Sequence, residues 1–206
     1  MQRIVFWLAG SWLQALSCLA ASLPFVITAV RSARLQRQAV TLSRLGLLAI
    51  FFIVDITLAR SESAGVLMRA PWQGMLLEAA FALAVILATR SARKAGLTLR
   101  ITGRDWQASL VVTALLLLFV ATRSALLDAL GIASGGSNAV PAEYFVYLLT
   151  MPGIAEELSY RGVIQPGLNA VFGRPWKILG AQVGWGWIIA GVIFWATHAF
   201  RVDPPL

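Results

Sequence analysis

Residues 4–30, IVFWLAGSWLQALSCLAASLPFVITAV, contain no charged side chain. A hydrocarbon core of roughly 30 Å takes about 20 helical residues, so this run can cross a bilayer with tilt. Further apolar stretches lie at 45–59, 72–89, 106–122, within 139–172, and at 178–198. The expected fold is therefore all-α, a polytopic transmembrane helix bundle of about six spans. Composition points the same way. Hydrophobic residues make up 59% of the 206 and charged residues 13%, whereas a soluble domain averages roughly 45–50% and about 25%. The first run also has the outline of a secretory signal peptide, with Arg3 ahead of it and LAAS as a cleavage site. It exceeds the roughly 7–15-residue apolar core of such signals, and more spans follow, which favours a retained helix. Cys18, inside this run, has no second cysteine to pair with and reads as a small buried hydrophobe.

The net charge of +8 would fit a nucleic-acid partner only if it formed a stripe, and it does not. Twelve of the 17 basic residues fall in three segments, 31–44, 90–105 and 161–177. The connections between them and the two tails hold the other five. Positive charge stays cytoplasmic, so those three segments are expected inside and the N-terminus outside. The expected partners are the lipid bilayer and a peptide or protein substrate at the membrane, with no nucleic acid. The basic set is arginine-heavy, with only Lys94 and Lys177. That composition fits a GC-rich bacterial source, so the expected location is the bacterial inner membrane, crossed several times.

Trp72, Trp106 and Trp176 each stand beside a loop, where an amphipathic ring prefers the headgroup level. The loop 131–138, GIASGGSN, separates an N-terminal four-span region, 1–130, from a polar, proline-punctuated region, 139–206. Within the latter, Met151-Pro152-Gly153 is expected to interrupt a helix. A new helix starting near Ile154 would hold Glu156 and Glu157 in its first turn, where carboxylates suit the helix dipole. Gly173-Arg174-Pro175 makes a second break, after which a helix 178–198 returns. Counting along two such antiparallel helices leaves Glu157 and His198 offset by about 10 Å. A bend, or the glycines at 180, 184 and 186, would have to absorb it.

Ionisable side chains in membrane helices are costly and are functional candidates by default. Asp55 and Glu78 lie near Arg60 and Arg69 in sequence, and their expected role is structural, reaching an interface or a basic partner. A polar pathway is the sharper alternative. Glu157 and Arg161, four apart, share a helix face, while Glu156 points about 100° away. One carboxylate is thus held by the arginine while its neighbour can face a cavity as a general base. A helix-start acid pair with an internal salt bridge explains the same residues equally well. His198 is the only histidine, and Phe194, four residues earlier, can pack beside its ring.

Glu-Glu-x-x-x-Arg followed by Phe-x-x-x-His on the next helix resembles the CPBP family of intramembrane proteases, the CAAX-protease and bacteriocin-processing (Abi) proteins. The text EELSYRGVIQPGL is similar to the family's EELxYRGxLxPxL, and the resemblance covers roughly residues 141–200. It implies peptide hydrolysis of glutamic type without metal or other cofactor. Glu156 and His198 would activate a water, Glu157 and Arg161 would tune and position, and Phe194 falls on the family's phenylalanine. The family's downstream motif, a second histidine with an asparagine four residues later, has no counterpart here. The resemblance thus implies a chain lacking its C-terminal spans, with 139–206 a partial protease region whose activity is in question.

Other intramembrane proteases fit less well. A zinc enzyme needs His-Glu-x-x-His, and one histidine cannot supply it. No aspartate stands in a Gly-x-Gly-Asp context. A Ser159–His198 dyad lacks the flanking glycines of a rhomboid-like nucleophile. The non-enzymatic alternative is a membrane scaffold, chaperone or immunity-type protein using the same helices. A transporter is a third reading, for which the sequence offers no inverted repeat.

Overall fold

The computed structural model describes residues 2–32, 38–61, 71–92, 103–131, 147, 151–178 and 180–200. Among these, four long helices come first: α1 (Gln2–Ser32), α2 (Gln38–Ala59), α3 (Pro71–Ala88) and α4 (Gly103–Ala129). A fifth helix, α5, runs over 151–172, then a short antiparallel hairpin, β1 (Trp176–Ile178) and β2 (Ala181–Val183), leads into α6 (Trp185–Ala199). The all-α class holds, with this hairpin its one departure among the described residues. The loop 131–138 lies outside them beyond Gly131, as does Arg69.

The chain divides into two compact units, one of residues 1–97 with 147–206 and one of 98–146. The second is built on α4, whose described residues, Leu110, Leu115, Leu118 and Phe119 among them, are exposed. In the first, α1 packs against α2 and α6, α2 against α3, and α5 against α3 and α6. Its core joins Ala15, Cys18 and Ala29 of α1 to Phe52 and Ile56 of α2, Tyr160, Ile164 and Leu168 of α5, and Ile189 and Ile193 of α6. Phe51 stacks on Phe81 at 5.1 Å, pinning α2 to α3.

Two helical stretches, Ile4–Ser32 and Thr41–Ala59, are long and apolar enough to cross a membrane, and Trp72–Ala88 and Trp185–Ala199 are shorter apolar helices. A soluble core helix of that apolarity would be mostly buried. Here only 28% and 22% of the two long windows are covered by protein, leaving Leu13, Leu16, Leu42 and Leu47 facing outward. Exposed apolar surface on that scale matches lipid and costs too much in water.

Two expected helix boundaries are corrected. Pro152 and Gly153 do not break a helix: residues 151–156 are helical without interruption. Glu156 and Glu157 therefore follow at least one turn of helix and do not open one. The return helix starts at Trp185, not at 178, because Gly173 (φ +79) and Gly180 (φ +85) turn the backbone where other residues are strained,. The hairpin between them pairs Trp176 with Val183 and Ile178 with Ala181. This removes the expected offset. Phe172 back to Glu156 is 16 residues and Trp185 to His198 is 13, or about 24 and 20 Å at helical rise.

Candidate active site

The middle of α5, Glu157–Ile164, is π-helical, and Gln165 N–H donates to the Tyr160 carbonyl five residues back. Local sequence accounts for the widening. Pro166 carries no N–H, and its ring would press on the carbonyl of residue 162 in a regular α-helix. A wider turn relieves that clash, and such turns recur at functional sites. The glutamates stand at its entrance.

Helix α6 is held hard against α5. Its N-terminal Gly186 N–H donates to Asn169 Oδ1 of α5 at 3.0 Å, so one orphan donor of the first turn is capped from the neighbouring helix. A Cβ at Gly186 would collide with the Gln165 carbonyl and with Asn169. Close approach requires glycine here.

At the other end of this pair the candidate residues meet. His198 Nε2 lies 3.8 Å from Glu156 Oε1. His198 Nδ1 is 2.9 Å from the Phe194 carbonyl, which can only accept, so Nδ1 carries the hydrogen and Nε2 faces the carboxylate. Phe194 packs on the imidazole with centroids 4.6 Å apart, and Tyr160 meets Phe194 edge-on at 5.2 Å. Glu157 turns to the other side and pairs with Arg161, Nε to Oε2 3.2 Å. The adjacent glutamates thus have separate partners. Gly153, Glu156, Glu157, Tyr160, Arg161, Gln165, Trp187, Ala190, Gly191 and Phe194 line a pocket of about 180 Å³. Glu156, which lines the pocket, is 28% exposed and His198, beside it, 58%.

Behind His198 the bundle supplies a support that sequence reading missed. Gln14 of α1, nearly buried, donates its amide to the Thr197 carbonyl at 2.9 Å, satisfying one of the last carbonyls of α6. Arg60, just past the end of α2, donates in turn to Gln14 Oε1. A lone glutamine in an apolar run was the available signal.

For Asp55 and Glu78 the expected interface is corrected, while Arg69, the basic residue near Glu78, lies outside the described residues. Neither reaches an interface. Asp55 is fully buried and accepts a hydrogen bond from Ser159 Oγ at 2.8 Å. Glu78, 4% exposed, interacts with the same Ser159 side chain and lies within electrostatic reach of both Asp55 and Glu156. The sealed Ser159 hydroxyl is committed to Asp55, which removes the Ser159–His198 dyad. Among the described residues no group of three or more His, Cys, Asp or Glu side chains is arranged to hold a metal.

Residues 138–204 match the family model "Type II CAAX prenyl endopeptidase Rce1-like". This segment belongs to the CPBP/CAAX protease family. The CAAX-protease segment contains α5, the hairpin and α6, with every residue of the glutamate and histidine motifs. Helices α1–α3, which pack against it, lie outside the matched range. No curated protein and no solved structure matches the chain. Family and pocket together support a protease acting on peptide or protein at a membrane.

Proposed function

We propose that the chain is an intramembrane endopeptidase of CAAX-protease type in which Glu156 and His198 activate a water for attack on a peptide bond. The observation that carries this is the 3.8 Å separation of His198 Nε2 from Oε1 of Glu156, a residue that lines the pocket. That gap is too long for a direct hydrogen bond and suits one bridging water. Glu156 takes the water's proton as the carbonyl carbon is attacked, and the proton then passes to the leaving amine. His198, its Nδ1–H fixed on the Phe194 carbonyl, accepts the water's second O–H at Nε2 and so orients it for attack. Glu157 and Arg161 are assigned to positioning, since their ion pair keeps Glu157 from competing for His198. Phe194 orients the ring. The helices are read as about six spans of a multi-pass inner-membrane protein with its N-terminus outside, divided at 131–138 into a supporting and a proteolytic region.

The test uses the full chain in proteoliposomes and a prenylated peptide ending in a CAAX sequence, with cleavage read by mass spectrometry. Wild type cleaves, while Glu156→Gln and His198→Ala each lose about 10²–10⁴ in rate. Cleavage retained in both variants would remove the mechanism. Peptide binding without cleavage in wild type would favour the scaffold reading.

A further inference from the structure

The second acid pair has no part in the chemistry just described, yet it is buried in the described bundle. Asp55 comes from α2 and Glu78 from α3, and both converge on Ser159, in the π-helical turn that begins one residue after Glu156. Asp55 Oδ2 is buried and has no hydrogen-bond partner among the described residues. Burying a carboxyl this way is costly, and apolar residues would pack the same space more cheaply.

We propose that Asp55, Glu78 and Ser159 form a polar clamp that fixes the rotation of the π-helical turn and thereby aims Glu156 at His198. Asp55 and Glu78 are positioning residues, acting through Ser159 and touching no substrate. A π turn has a wider ladder than an α-helix and is short-lived unless tertiary contacts hold it. Apolar packing alone tolerates small rotations about a helix axis, whereas the 2.8 Å hydrogen bond from Ser159 to Asp55 has one geometry. Ser159 and Glu156 are three residues apart, so rotation of one carries the other. Glu78 approaches the same serine and lies within electrostatic reach of Asp55 and Glu156. The inference rests on the proposed Glu156–His198 pairing.

The chain's single histidine makes the test direct. Full-length protein labelled with 15N-histidine and placed in nanodiscs gives one pair of ring-nitrogen resonances. Glu156→Gln is the control, and it should displace the Nε2 resonance. Ser159→Ala and Asp55→Ala should each reproduce at least half of that displacement, and Asp55→Asn, which keeps an acceptor for the serine, should restore the wild-type position. In the peptide assay Ser159→Ala and Asp55→Ala should lower kcat about tenfold to 100-fold with KM little changed. If Glu156→Gln leaves Nε2 unmoved, the Glu156–His198 reading fails first. If that control moves Nε2 while folded Ser159→Ala and Asp55→Ala do not, the clamp is overturned, whatever they lose in thermal stability. Movement in Asp55→Asn equal to that in Asp55→Ala also overturns it. Should Ser159→Ala fail to fold, Asp55→Ala and Asp55→Asn report the same contact from α2.

Discussion

The molecule holds two pairs of carboxyls, and they are opposites. Glu156 and Glu157 are neighbours in sequence that part company in space, one toward His198 and one toward Arg161. Asp55 and Glu78 stand 23 residues apart on different helices and come together on a single serine. The first pair opens on a pocket and the second is sealed. An exposed pair can exchange partners and take up a substrate; a sealed pair can only hold a shape. Both pairs touch α5, which carries Glu156, Glu157 and Ser159.

Removing the open pair should cost rate and little stability, and removing the sealed pair should cost both. The largest effect is expected for Glu156→Gln, a loss of about 10²–10⁴ in kcat with a melting temperature close to wild type in detergent. A large fall in melting temperature would make Glu156 a structural residue and erase the contrast. Gly186→Ala should come next, because its methyl meets the Gln165 carbonyl and Asn169. Overpacking of this kind costs roughly 1–3 kcal/mol, readable by thermal unfolding. Asp55→Ala leaves the Ser159 hydroxyl buried without its acceptor, at about 1–3 kcal/mol. The smallest effect belongs to Glu157→Gln. Its ion pair is more than half exposed on both sides, so it should contribute under about 1 kcal/mol. A larger stability loss there would mean that the two pairs are not distinct in kind.

The open pair was legible in the sequence because its residues sit at helical spacings within one segment. Glu157 and Arg161 are four apart, as are Phe194 and His198, and both contacts follow from helix geometry alone. The meeting of α5 with α6 needed only a count of residues, and the count erred because Trp176–Val183 forms a hairpin instead of helix. Two glycines in a left-handed conformation, at 173 and 180, decide that. The sealed pair was not legible. Nothing near Asp55 or Glu78 indicates a serine about a hundred residues on, and their nearby arginines suggested other partners. Gln14 is a similar case, since its hydrogen bond to Thr197 spans 183 positions. The π turn was hidden too, because a widened helix has no composition of its own, although Pro166 is a cue after the fact.

Trp176 and Trp185 meet edge-on at 4.9 Å where the hairpin joins α6, and paired indoles of this kind settle at a lipid headgroup layer. From Trp185 to His198 the helix climbs about 20 Å, which is two-thirds of a hydrocarbon core roughly 30 Å thick. If the proposed function holds and α6 enters the bilayer at these indoles, hydrolysis would take place past the midplane, about 10 Å inside the far edge of the hydrocarbon core. Water and the polypeptide to be cut would have the shorter journey from that far side.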